Sequence, residues 1–452
     1  MKTGLTHIAL LGLALIFFLS ACGENSDHNS GENKNEDLSI PEWLQERVKT
    51  YEGPEDMEPL MAAMEGRELI LLGEASHGTH EYYHHRGEIC RRLIEEQGLD
   101  FIAVEGDWAS IFRLNRYVKG LPVEGESARE IQQTFDRWPE WMWANEEVEE
   151  LVEWLRDYNA DRSMEDRVGF YGMDVYAHLD AIDIVKEYVE EFLPEEYNEV
   201  EEHYKCLLQF DQEDRAYARA VARGRADCRE KSGEPYEIIK AHEDRLKEED
   251  QYDYLEALGA ALVVKNAEEH YRKAPRGDAG GWNSRASHFY EAVNKLRAFY
   301  GKGSRAAAWG HNTHMGDARA TRMSDQGRHN IGQLARQDLG RENVFALGFS
   351  TYRGEVKAGE EWGKPGRRMN VPEGIEGSIE NKFNQVNKDP FLWLIDEEDR
   401  AFEPLDRRIG HRAIGVTYNP EIEHRGNYVP TNVPDRYDGM IFLRETVPLK
   451  YH

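Results

Sequence analysis

The stretch Glu68–Glu105 (ELILLGEASHGTHEYYHHRGEICRRLIEEQGLDFIAVE) narrows the folds open to this chain more than any other. A short apolar run, Glu68–Leu72, stops at Gly73. Glu74, Ser76, His77, Thr79 and His80 then crowd into one polar turn. Helical periodicity follows through Ile94, and a second apolar run, Phe101–Val104, ends at Glu105. Strand, turn, helix and strand in this order predict parallel strands joined by a crossover. Both strands deliver an acid at their C-terminal ends, the edge where open α/β sheets bind ligands.

The remaining chain repeats the pattern. Helices are expected over Pro41–Tyr51, Asp107–Val118 and Glu146–Tyr158. Val168–Gly172 reads as a strand followed by Asp174. About residues 177–300 show helical periodicity and no strand, which predicts a large all-helical insertion packed over one edge of the sheet. Arg305–Trp309 is a strand running into Gly310-His311-Asn312-Thr313-His314. Val344–Phe349, Ala413–Thr417 and Gly439–Leu443 are the later strands, and Gly354–Pro372 reads as loop. The expected fold is α/β, with a mainly parallel central sheet flanked by helices, in a single domain over residues 41–452.

The amino-terminal segment stands apart. Lys2 and the apolar run Ile8–Leu19, followed by Leu19-Ser20-Ala21-Cys22, have the form of a bacterial lipoprotein signal, with residues 1–21 removed and Cys22 lipidated; a plain secretory signal is the alternative. Residues 22–40 then form a flexible tether, polar over Gly23–Asp37. The expected location is extracytoplasmic, with the membrane engaged only through the lipid on Cys22. Cys206 and Cys228 are left as candidates for a disulfide, and Cys90 as a buried thiol. A formal charge of −30 argues against nucleic acid as a partner, because polyanions repel.

Glu74 and His77, Glu105, Asp174, His311 and His314 all fall just after predicted strands. A parallel sheet would gather them at one edge, where burial and mutual charge perturb their protonation. Glu74, three residues from His77, could orient it as a general base. No Gly-x-Ser-x-Gly elbow, P-loop, dinucleotide fingerprint or His-Glu-x-x-His motif is present. Direct attack by water activated by histidine is therefore expected rather than an acyl-enzyme. A metal-dependent hydrolase using the same histidines and carboxylates, and a non-catalytic lipoprotein binding small molecules or glycans, are the alternatives. His80, His84 and His85 read as helix-surface residues, and Trp138, Trp141 and Trp143 as core.

GEASHGTHE, AVEGDW, GFYGMDVY, WGHNTHMGDAR and AIGVTYNPE, in this order, resemble the erythromycin esterase family, nearest its broad succinoglycan-biosynthesis-like branch. The resemblance runs from about Leu69 to Leu443. It implies a hydrolase acting on a small-molecule ester or lactone with no cofactor and no required metal, and with a role in macrolide resistance as one outcome. His77 matches the general base, Glu74 its supporting acid and Glu105 a second essential carboxylate. Arg86 matches a cation for an anionic group or the developing oxyanion, and His311 the histidine of the second half-site. His314, Arg285 and Asp174 are the accompanying substrate-binding candidates. Ala286 departs from the family pattern, in which an Asp follows the arginine.

Overall fold

The computed structural model describes residues 38–210 and 216–452, so the expected signal segment, Cys22 and most of the tether lie outside the described residues. The strands are β1 (Lys49–Thr50), β2 (Leu69–Leu72), β3 (Phe101–Asp107), β4 (Gly169–Asp174), β5 (Ala306–Trp309), β6 (Val344–Ala358), β7 (Arg367–Val371), β8 (Phe391–Leu394), β9 (Ile409–Arg412), β10 (Tyr428–Thr431) and β11 (Gly439–Thr446). The main sheet is nine-stranded, in the order β1-β8-β11-β6-β2-β5-β3-β4, with β7 paired to β6 outside that path. β11, β6, β2, β5, β3 and β4 run parallel. β8 is antiparallel to both its neighbours, β7 is antiparallel to β6, and β9 and β10 form a separate ribbon. The fold is α/β, with a mostly parallel central sheet between helices.

The central strands are short and apolar throughout because both faces are covered. Leu69 and Leu71 pack into one core with Phe289, Val293 and Leu296 of the helix Ala279–Tyr300. Ile70 and Leu72 pack into the other, with Tyr82, Ile89 and Leu93 of the helix His80–Gln97. The helices from His178 to Tyr300 thus cover a face of the sheet, rather than one edge as expected. Their apolar stripes match Leu69, Phe101, Tyr171 and Ala306, which alternate out of the strands on that side.

Three local expectations are corrected. Residues 354–372 are not simply a loop: β6 extends to Ala358 and returns as β7. Val356, Ala358, Met369 and Val371 alternate inward there to form a third small core with Ile414 and Tyr418. Ala413–Thr417 is not a strand. The strand ends at Arg412, and the following segment is pinned by Ala413 N to Asn427 O and Ile414 N to Ala75 O. Residues 38–40 also belong to the folded unit rather than to the tether. Leu38 packs against the core, and the Ser39 amide and hydroxyl both donate to Glu42 at the start of a helix from Ile40.

Cys206 and Cys228 are joined as a disulfide, and Cys90 is a buried free thiol. The bond ties the helix Tyr197–Leu208 to the start of the helix Arg229–Ala241 across a separation of 22 residues. Replacing both cysteines with serine should lower unfolding free energy by about 2–4 kcal/mol, the usual contribution of a bridge of this span. Chemical denaturation of the wild type with and without reductant, against the double variant, measures it.

Candidate active site

The parallel register brings three strand ends level. Leu72 pairs with Trp309, and Trp309 pairs with Val104. The next residues are Gly73, Gly310 and Glu105. The turns after β2 and β5 then follow the same plan: Glu74 and His311 come first, His77 and His314 three residues later. Both glycines are required by close approach. A Cβ at Gly310 would lie 2.8 Å from Glu105 Oε2, and one at Gly73 2.1 Å from Asn312 Oδ1. Asn312 links the turns, its amide donating to Glu74 O and its side chain to Phe349 O.

The first half of the site is a buried chain of charges. Arg86 Nη2 donates to Glu74 Oε2 at 2.6 Å, and Glu74 Oε1 meets His77 Nδ1 at 2.7 Å. An ionised Glu74 makes that contact an Nδ1–H donor, which leaves Nε2 as the open nitrogen. Burial disfavours the imidazolium of His77. The charge of Glu105 and the hydrogen bond and charge of Glu74 outweigh it, so the pKa lies above the ordinary histidine value. Arg86 is a correction. It is fully buried, its Nε donates to Tyr82 O, and its guanidinium carbon sits 4.5 Å and 4.7 Å from the rings of Tyr83 and Trp309. It does not line the cavity, so its contacts make it the support of Glu74, not the binder of an anion or oxyanion.

The second half centres on Glu105. Its Oε2 accepts from the His311 amide at 2.8 Å and its Oε1 from Arg285 Nη2 at 2.8 Å. Burial opposes the Glu105 charge, but His314, Arg285 and His77 hold the pKa far below the carboxylate range. Arg285 Nε and Nη2 also grip Asp174 at 2.9 and 2.6 Å. Burial would raise Asp174, and Arg285 brings it below its usual value. Asp174 and Glu105 thus give Arg285 its anionic partners despite Ala286. Burial holds His314 near a pKa of about 4, and its ring stacks on Trp282 at 4.4 Å. His311 lies 5.0 Å from His77, ring to ring. Burial, then the neighbouring His77, push its pKa far down, so it is neutral. Its Nδ1 lies 2.8 Å from Thr313 Oγ1 and 3.3 Å from the Thr313 amide; accepting from both leaves the proton on Nε2, 3.4 Å from Ala75 O.

These groups open onto a cavity of about 380 Å³, within the range of small-molecule sites. His77, Glu105, Asp174, Arg285, His311 and His314 all line it. Its walls include Tyr176, Trp282, Trp362 and Arg137, which the sequence reading did not single out. Tyr176 stands two residues past the β4 acid, and Trp282 precedes Arg285 by one helical turn, so strand-end and i,i+3 spacing would have found both. Trp362 sits at the tip of the β6–β7 hairpin. Trp141 is core, whereas Trp143 lines the cavity and donates to Glu105 O; Trp138 tilts onto Trp362. His80 pairs with Glu147, and neither His84 nor His85 reaches the cavity. Among the described residues no group of three or more His, Cys, Asp or Glu side chains is arranged to hold a metal ion.

Residues 94–446 match the family model for erythromycin esterase. A curated relative, erythromycin esterase type II of Escherichia coli, is 24% identical over 144 residues, which is 30% of this chain. That match spans 32% of the relative's length. Among solved structures, a succinoglycan biosynthesis protein has a TM-score of 0.74 at 20% identity, covering 91% of this chain and 98% of that one. A Bacillus cereus protein gives 0.75 at 19%, with the same coverage. An erythromycin esterase mutant in its open conformation gives 0.62 at 14%, covering 88% and 97%. These likenesses show the fold. The family match begins after His77, so Glu74 and His77 are assigned by geometry.

Arg86→Gln should cost stability of about 3–5 kcal/mol, because Glu74 is left buried without its cation. Denaturant unfolding measures that loss. With Arg86 outside the cavity, kcat should fall while KM stays close to wild type.

Proposed function

The chain belongs to the erythromycin esterase family, and from that premise we propose that its site hydrolyses an ester or lactone with water activated by His77. Membership suggests hydrolase activity; the finer reading is carried by one observation. His77 is held at Nδ1 by Glu74, itself held by Arg86, so that Nε2 is the nitrogen left to act in the cavity. In this reading Nε2 takes a proton from water as the water oxygen attacks the carbonyl carbon. The resulting oxyanion is met by the neutral His311, whose Nε2–H makes only a long contact with Ala75 O. On collapse the imidazolium returns the proton to the departing alkoxide, giving an acid and an alcohol. Glu105 balances the imidazolium charge, and Arg285 keeps Glu105 ionised.

Trp143, Trp282 and Trp362 offer apolar surface for a bulky substrate, and the reading extends to macrolide lactones and thus to resistance. It also includes an extracytoplasmic chain anchored by lipid on Cys22, outside the described residues. The Cys206–Cys228 disulfide supports an oxidising compartment.

Purified protein assayed on macrolides, simple lactones, acylated sugars and aryl esters tests the proposal. His77→Ala should lower turnover by about 10²–10⁴. Undiminished turnover in that variant, or no turnover of any ester by the wild type, would reject it. Chelator-sensitive turnover with near-stoichiometric metal would favour metal-dependent hydrolysis instead. The base must be neutral to act, so kcat/KM should fall as pH drops through a midpoint above the ordinary histidine value. Glu105→Gln removes a charge that raises His77, and should move that midpoint to lower pH.

A further inference from the structure

The residue after His77 is gripped from two sides. Gly78 O accepts from Lys357 N of β6 and from Leu449 N, each at 3.0 Å. A Cβ on Gly78 would stand 1.8 Å from Lys357 O, so the turn is pressed against the hairpin. Leu449 belongs to the segment 447–452 that follows β11. This segment first runs beside the His77 turn: His80 N donates to Val447 O at 2.9 Å, and Thr79 bridges to Pro448. It then crosses to the start of the helix Glu146–Asn159. Lys450 N donates to Glu147 Oε1 at 3.2 Å, the oxygen that also meets His80 Nδ1, and Glu146 N donates to Lys450 O at 2.9 Å. Tyr451 bridges to Asn145, whose amide holds the carbonyls of Trp141 and Met142. Both the His77 turn and residues 447–452 lie outside the matched residues 94–446.

We propose that residues 447–452 are a positioning strap for the catalytic base: by fixing the Gly78 carbonyl they hold the turn that keeps His77 Nδ1 on Glu74. The inference rests on the reading of His77 as the base. Gly73–Thr79 has no helix or ladder of its own to set its geometry. The direction of the His77 ring therefore depends on what holds the flanking peptides. On the C-terminal side these are β6, at Lys357, and the strap, at Leu449. The charged and titratable groups facing His77 are Glu74, Glu105, Arg285, His311 and His314, and none belongs to the strap. Its effect on the base is exerted through the backbone.

Leu449→Pro removes the N–H that reaches Gly78, while Leu449→Ala keeps it and only trims the buried side chain. The proline variant should lose kcat by about ten-fold or more, since small misplacements of a reacting group are costly, with KM little changed. Its His77 imidazole titration, followed by NMR in the full chain without substrate, should shift toward the ordinary histidine value as the Glu74 contact loosens. Leu449→Ala should keep both properties near wild type. Glu147→Ala, which releases the strap at its far anchor, should shift the titration the same way by less, and it serves if the proline variant does not fold. An unshifted His77 titration in folded Leu449→Pro or, failing that, in Glu147→Ala, or an equal shift in Leu449→Ala, would overturn the proposal. If the wild type cleaves no ester, the hydrolase reading fails, and the NMR titration still decides the strap.

Discussion

A carboxylate buried at the centre of a protein must be paired, hydrogen-bonded or protonated, and Glu105 meets that requirement in a way that organises everything around it. One oxygen accepts the His311 amide, which fixes the turn after β5. The other accepts Arg285, which reaches in from the helix Ala279–Tyr300. Gly310 has no side chain because Glu105 occupies the space where a Cβ would be. The sheet, the second histidine turn and the helical insertion are therefore joined at a single carboxylate. Loss of its charge would leave Arg285 partly unpaired and remove a major attraction for the imidazolium of His77.

The helical insertion accordingly does more than cover apolar strands. Its last helix buries Phe289, Val293 and Leu296 against the sheet, and the same helix brings Trp282 and Arg285 to the cavity. Packing energy from the apolar stripe thus holds the guanidinium that neutralises Glu105 and Asp174. The face of the helix that stabilises the fold sets the height at which Arg285 meets the strand ends. Trp282 then closes over His314, whose stacked ring is kept neutral by the burial this produces.

The sequence made the strand ends legible because period and punctuation are local. Leu69–Leu72 halts at a glycine, Phe101–Val104 at an acid, and Ala306–Trp309 at another glycine. Glu74, His77, Glu105, Asp174, His311 and His314 could be assigned to one edge before any contact was known. Arg86 shows where such reasoning stops. Its position nine residues after His77 says that it is near the turn, but not which side of Glu74 it occupies, and the structure puts it behind. Partners of Arg285 were equally hidden, because Asp174 lies 111 residues away in sequence. The β6–β7 hairpin escaped for a different reason. Its outward residues are charged and its inward ones few, so alternation was masked by composition, and Trp362 at its tip went unread. The strap escaped because its bonds to the His77 turn are made largely by backbone atoms, which leave no signature in residue type.

The charges of the site bear directly on the proposed role of His77 as a base. Glu74, Glu105 and Asp174 are anionic, Arg86 and Arg285 are cationic, and burial keeps His311 and His314 neutral. Among these five charged groups the anions outnumber the cations by one, and His77, bonded to Glu74 and attracted by Glu105, is the group beside them whose positive form they favour. In the proposed reading, a proton taken from water at Nε2 would be compensated by these carboxylates inside a low-dielectric cavity, where such compensation is worth most. The same carboxylates raise the pKa of His77 in the resting protein, so on the proposed reading what favours proton abstraction also sets the acid limit below which the base is already occupied. Had Arg86 faced the cavity as a free cation, the deficit would have been open to solvent and substrate. Behind Glu74, it fixes the carboxylate and leaves the missing charge to the imidazole.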